Sequence, residues 1–285
     1  MASRPNDDFE HRSSWDVAIR FQDLNRLGHF SEEKKQAFKR RAVGAILLQA
    51  LKVLKRVSYP TRTRIIPEAD LALFDVERSD LDVISTLDHY IANQNIEFFY
   101  QAEIARRQPV IVILDTSLSM TGEKLALLAV TAAVVTLSVR PDDLCMFGFD
   151  SKIRPLKGFN EPLFKNQSPI KNASRVIERV LELPSGGFTN IELALVETER
   201  VIKQAASREP NIMLMTDGKY TEGRDPTYLA QRFKRLHVMK LGRDQAGRKL
   251  LEDLVRLGHG QLFEAKKIQE LPKSTYNAIR SLLRS

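Results

Sequence analysis

The feature that most restricts how this chain can fold is an alternation that starts at Val110 and continues to the C-terminus. Short apolar runs, Val110 to Leu114 (VIVIL), Leu144 to Phe149 (LCMFGF), Asn211 to Met215 (NIMLM) and Leu236 to Leu241, are separated by longer stretches with helical spacing. A strand with no polar face has to be covered on both sides, and a helix between two such strands supplies the cover. The expected fold class is α/β, a doubly wound and mostly parallel central sheet flanked by helices. Helices are expected over Gly122 to Val139, Ser168 to Leu183, Asn190 to Ala206, about Pro226 to Arg235, Gln245 to Leu257 and from Ile268 onward. Further strands are expected at Ile153 to Leu156 and Gln261 to Glu264. The helix after the first strand is apolar almost all round. Its longest apolar stretch, Leu125 to Val139, is 15 residues broken by Thr131, Thr136 and Ser138. A membrane-spanning helix needs roughly 18 to 20, so a buried helix and no membrane partner are expected.

Ahead of Pro109 the texture changes. From Ser31 to about Val57, the residues Val43, Ile46, Leu47, Ala50, Leu51 and Leu54 recur at helical spacing, with Glu32 and Glu33 in the first turn where the helix dipole favours them. Tyr59-Pro60 closes that helix. An extended, charge-rich stretch to about Asp82 and a second helix over Leu87 to Arg107 are expected to follow. Residues 1–107 thus read as a mainly helical N-terminal extension with charged segments, and 108–285 as the α/β domain.

The net charge of +8 is local. Residues 31 to 65 hold ten basic residues against Glu32 and Glu33, while the other 34 basic and 34 acidic residues cancel. The neighbouring Glu68 to Asp88 is acidic, with Arg78 its one opposing charge. A basic helix beside an acidic segment can neutralise itself within the fold or face a charged partner. The basic segment carries no aromatic stacking platform, which disfavours nucleic acid as its partner. The polar start MASRPNDDFE lacks the layout of a secretory signal. The single Cys145 can make no disulfide within the chain. Both point to a reducing, cytoplasmic compartment.

Three junctions carry small oxygen-bearing side chains: Asp115-Thr-Ser117-Leu-Ser119 after the first apolar strand, Gly186-Gly-Phe-Thr189-Asn190 before a helix, and Thr216-Asp217-Gly218 after NIMLM. In a parallel sheet all three lie at one edge, beyond the carboxyl ends of the strands, where such folds hold their ligands. Asp115, Ser117, Ser119, Thr189 and Asp217 supply two carboxylates and three hydroxyls, with no imidazole or thiol. That is a hard-oxygen set suited to Mg2+ or Mn2+ and poorly suited to zinc. Each motif alone reads equally well as a helix cap or a turn; their conjunction is what argues for a metal.

On these motifs the chain resembles the von Willebrand factor A (VWA) family, whose metal-ion-dependent adhesion site is built from D-x-S-x-S, a threonine in a later loop, and a T/S-D-G aspartate. DTSLSM, SGGFTN and TDG occur in that order, and the resemblance covers about Gln108 to Ser285. The resemblance implies direct metal binding by Ser117 and Ser119. Thr189 would bind directly or through water, and Asp115 and Asp217 mostly through coordinating waters. Many relatives have glycine where Leu118 stands, a position that supplies no side-chain ligand. The surrounding DTSLSMTGEKLALLAVTAAVV, GGFTNIELAL and TDGKYTEGRDP are similar to the intracellular prokaryotic branch, near CoxE-like and magnesium-chelatase-D-like chains. Those commonly work with MoxR-type AAA+ ATPases as maturation factors. The sequence has no Gly-x-x-x-x-Gly-Lys-[Ser/Thr] phosphate loop, so ATP would be handled by a partner.

The leading expectation is a non-enzymatic, divalent-metal-dependent protein-binding module that captures an Asp or Glu of a partner. One alternative is a phosphoryl-transfer enzyme using Asp115 as nucleophile. Against it, the second position of an Asp-x-Asp pair is Ser117, and no lysine or histidine is evident at a matching place. The other alternative is nucleic-acid binding through residues 31–65. His11, His29, His89, His237 and His259 form no spaced set, and Cys145 reads as core filler.

Overall fold

The computed structural model describes residues 12–26, 30–54, 61–73, 76–105, 109–184, 186–204 and 209–283. Their elements are α1 (Ser14–Ile19), α2 (Phe21–Arg26), α3 (Glu32–Leu54), β1 (Thr61–Pro67), β2 (Val76–Leu81), α4 (Val83–Asn93), β3 (Phe99–Ala105), β4 (Val110–Asp115) and α5 (Glu123–Ser138). There follow β5 (Leu144–Phe149), β6 (Ile153–Lys157), α6 (Pro169–Glu182), α7 (Ile191–Gln204), β7 (Asn211–Thr216), α8 (Thr227–Ala230), β8 (Leu236–Leu241), α9 (Arg248–Leu257), β9 (Leu262–Ala265) and α10 (Leu271–Leu283). The chain divides into two compact units, residues 1–57 with 108–283, and residues 58–107. Residues 12–26 and 30–54 thus group with the large sheet, whereas the sequence alone suggested one extension running to residue 107.

In the larger unit six strands lie in the order β6-β5-β4-β7-β8-β9. All neighbours are parallel but β6, which runs antiparallel to β5. This is the mostly parallel, helix-flanked sheet expected from the alternation. Side chains of β4 point alternately to the two faces: Val110, Val112 and Leu114 enter one core, and Ile111 and Ile113 the other. The first core is closed by α3, α5, α6 and α10, and the second by α7, α8 and α9.

Helix α5 is buried from Leu125 to Thr136. Thr131, Thr136 and Ser138 fit there because each hydroxyl donates to the carbonyl four residues back, leaving no unpaired donor. Helix α3 buries Phe38, Ala42, Ile46, Ala50 and Val53 in the same core and packs against α1, α5, α6 and α10. Among its basic residues, Lys39 pairs with Glu182 and Arg41 donates to the Arg12 carbonyl.

The smaller unit is an antiparallel sheet in the order β1-β3-β2, with α4 beside it. Here the expected helix over Leu87 to Arg107 is corrected. The helix starts earlier, where the Asp82 carboxylate caps it by accepting the Ser85 N–H at 3.0 Å. It stops at Asn93 because Gln94 turns left-handed, with φ 56°. The aromatic and branched run Ile96 to Tyr100 leads into β3, which is central to its sheet and paired on both sides. Tyr59-Pro60 lies outside the described residues.

Candidate metal centre

Strand β4 sits between β5 and β7, and the chain leaves its carboxyl end through Asp115 to Ser119. Thr116 extends the pairing with β5 by one step, since both its N–H and its hydroxyl donate to the Phe149 carbonyl, at 2.8 and 3.0 Å. A single 3-10 turn over Leu118 to Met120 follows, with Met120 fully buried as its anchor. That turn brings the Ser117 and Ser119 hydroxyl oxygens within 3.2 Å of each other.

Asp115 is fully buried, and both of its oxygens are engaged. Oδ1 accepts the Ser117 N–H at 3.0 Å, and Oδ2 accepts the Thr216 hydroxyl from the end of β7 at 2.5 Å. Burial pushes its carboxyl up to about 6, opposed by the hydrogen bonds from Ser117 and Thr216 and reinforced by the nearby charge of Asp217. Two carboxylates buried within electrostatic reach of one another are a place where a cation is stabilising.

Asp217 is also fully buried. Its Oδ1 accepts the Lys219 N–H at 3.2 Å, and its Oδ2 takes a bond from the Lys124 ammonium at 2.6 Å. The turn behind it depends on Gly218, at φ 87°, lying flat against Gly247, where an added Cβ would stand 1.8 Å from the Gly218 carbonyl oxygen.

Thr189 is buried, and its ties run through its backbone. Its N–H donates to the Thr221 hydroxyl at 3.0 Å, and its carbonyl accepts the N–H groups of Thr221 and Glu222. The flanking Phe188 and Asn190 N–H groups reach the Ser151 hydroxyl and the Asp150 carbonyl just past β5. The five sequence candidates therefore lie on loops tied to the carboxyl edge of β4, β5 and β7. Asp115, Ser117, Ser119 and Asp217 are joined by direct contacts or through Thr216 and Lys124, whereas Thr189 is held there by neighbouring loops.

The donor set fits a hard divalent ion. Among the described residues there is no group of three or more His, Cys, Asp or Glu side chains poised for a metal. The hydroxyls of Ser117, Ser119 and Thr189 and the carboxylates of Asp115 and Asp217 are oxygen donors of the kind a divalent cation takes. Sequence reading did not single out Lys124. The available signal was its position in the first turn of α5, five residues past Ser119 in Ser-x-Ser-x-x-Gly-x-Lys.

Each of the three loops also carries a large exposed side chain of mainly apolar surface. Leu118, between the two serines, is 57 % exposed, Phe188, beside Thr189, is 64 % exposed, and Tyr220, three residues past Asp217, is 40 % exposed.

A family model described as VWA domain containing CoxE-like protein matches residues 40–241. Among solved structures, BatB from Bacteroides thetaiotaomicron is 17 % identical over 62 % of this chain and 100 % of its own, with a TM-score of 0.48. The von Willebrand factor type A protein from Catenulispora acidiphila is 15 % identical over 80 % of this chain and 51 % of its own, with a TM-score of 0.46. Proximal thread matrix protein 1 from the mussel byssus, with a zinc-occupied MIDAS motif, is 17 % identical over 61 % of this chain and 47 % of its own, with a TM-score of 0.48. The chain thus spans about half the length of the mussel protein. Curated proteins give no match.

Proposed function

The chain belongs to the family of VWA domain containing CoxE-like proteins, and on that footing we propose that its carboxyl-edge site is a divalent-metal-dependent docking point for an acidic side chain of a protein partner. Ser117, Ser119 and Thr189 would hold Mg2+ or Mn2+ with their hydroxyls, and Asp115 and Asp217 would balance its charge, largely through water. The ion supplies an electrophilic point for an incoming carboxylate.

The observation that carries this reading is the pairing of a buried hard-oxygen cluster with the exposed Leu118, Phe188 and Tyr220 on the same three loops. A protein interface is typically an apolar patch with a few oriented polar contacts, and aromatic side chains are enriched in it. The engagement of Asp115 argues against phosphoryl transfer. It is fully buried, and Oδ1 accepts the Ser117 N–H while Oδ2 accepts the Thr216 hydroxyl, a setting that disfavours it as a nucleophile.

The partner proposed is an AAA+ ATPase of MoxR type, with this chain as a cytoplasmic adaptor or maturation factor. Family membership supports that choice. No helix among the described residues is long and apolar enough to cross a membrane.

The test is affinity capture with wild type and a Ser117→Ala/Ser119→Ala variant, each with Mg2+ and with EDTA. Recovery of an AAA+ ATPase by wild type with Mg2+ alone is the expected result. Equal capture in all four conditions would remove the metal from the function, and turnover of an aryl phosphate by the isolated chain would restore the enzyme reading.

A further inference from the structure

Lys124 lies outside the three motifs and touches two of them. It stands in the first turn of α5, and its ammonium donates to Asp217 Oδ2 at 2.6 Å and to the Ser119 carbonyl at 3.0 Å. The carboxylate it meets is fully buried, while its own side chain is 23 % exposed. Its stem crosses Gly242, where an added Cβ would stand 2.7 Å from the Lys124 Cε, so the backbone past β8 leaves a channel for it. Two more ammonium groups lie within electrostatic reach of Asp217, but each is bonded elsewhere. Lys219 pairs with Asp244, and the buried Lys240 donates to the Gly242 and Asp244 carbonyls.

We propose that Lys124 is a built-in counter-ion of this site, competing with the divalent ion for Asp217 and thereby setting how tightly the ion is held. The proposal rests on the metal-site reading given above. Two carboxylates offer a charge of −2, which a divalent ion alone would cancel. With the ammonium on Asp217 the filled site carries a net +1, so ion and ammonium repel one another across a carboxylate they share. The repulsion weakens metal uptake. The same surplus charge makes the filled site more attractive to a partner's carboxylate, so the residue exchanges ion affinity for ligand affinity.

The experiment is a Mn2+ titration of the full chain, followed by electron paramagnetic resonance of the free ion, on wild type, Lys124→Met, Lys124→Arg and Ser117→Ala/Ser119→Ala. Methionine keeps the unbranched stem over Gly242 and removes the charge, and arginine keeps the charge. Lys124→Met should bind Mn2+ about tenfold tighter than wild type, with Lys124→Arg close to wild type. In EDTA, Lys124→Met should melt below wild type because buried Asp217 has lost its partner, and saturating Mn2+ should close that gap. Should Lys124→Met fail to fold, Lys124→Gln must show the same ordering. Equal or weaker Mn2+ binding by the neutral variants overturns the counter-ion proposal while leaving the site intact. If wild type shows no saturable uptake, or the double serine variant binds as well, the metal-site reading falls and takes this proposal with it.

Discussion

The two units handle their apolar residues in opposite ways. In the larger unit the strands β4, β5, β7 and β8 are buried along their whole length, and α5 is buried almost all round. In the smaller unit α4 has no buried residue. Its inward, half-buried positions are polar: Ser85, Thr86, whose hydroxyl accepts the Phe99 N–H at 3.0 Å, and His89, whose ring lies 5.2 Å from that of Phe99. Its apolar residues Val83, Ile84, Leu87 and Ile91 are each more than half exposed. One unit is thus held by a core that water cannot reach. Among the described residues of the other, Ile66 and Ala102 are buried, and the remaining ties are backbone pairing, a helix cap and a few polar contacts. The candidate metal centre is on the unit that has rigidity to offer, as oriented ligands require.

The sharpest way to break this contrast is to truncate equivalent aliphatic side chains in each. Ile113→Ala removes a fully buried side chain from the centre of β4 and should cost about 3 kcal/mol or more, read as a drop in the urea midpoint. A loss under about 1 kcal/mol there would mean that the larger core is not close-packed. Acid should find the same unit. His237, on β8, is 5 % exposed; its Nδ1 accepts the Gln261 N–H at 3.1 Å, and burial lowers its pKa from 6.5 to about 4. Between those values the unfolded chain binds the proton that the folded one refuses. The stability contribution is therefore whole above pH 6.5 and drains away as pH falls toward 4, to a total of roughly 3 kcal/mol. His237→Asn, which keeps an acceptor for Gln261, should flatten that part of the pH profile in denaturant titrations.

How much was legible beforehand follows the same divide. The strands β5 and β8 have the limits that their apolar runs suggested, and β4 and β7 differ by one residue, because a run buried on both faces leaves an unbroken signal. In the smaller unit β3 was misread as helix, since Leu87 to Arg107 contains no Gly or Pro and half-exposed elements carry weak periodicity. For the candidate site, Asp115, Ser117, Ser119 and Asp217 were readable because each sits at a strand end within a short motif. Lys124 was not, because its carboxylate partner lies 93 residues downstream and only the closed sheet brings the two together. The Thr216 hydroxyl that orients Asp115 across 101 residues was hidden for the same reason.

Smaller effects sharpen the contrast from the other side. Asp82→Ala removes the cap of α4 and should cost about 1 kcal/mol locally, seen as faster amide exchange in α4 and none in β4. An equal acceleration in β4 would mean that the two units open together.

The smallest expected effect is the most informative about α4. Leu87, 53 % exposed, and Ile84, 74 % exposed, contribute little buried area to the folded chain. Replacing both with serine should change stability by no more than about 0.5 kcal/mol. Serine has a lower helix propensity than leucine, so the sign should be slightly unfavourable, while dye binding to exposed apolar surface should fall. A loss of 2 kcal/mol or more would reverse the comparison. It would mean that α4 buries this face in the folded protein, that its outward apolar stripe is a packing surface, and that the smaller unit draws its stability from the same source as the larger one.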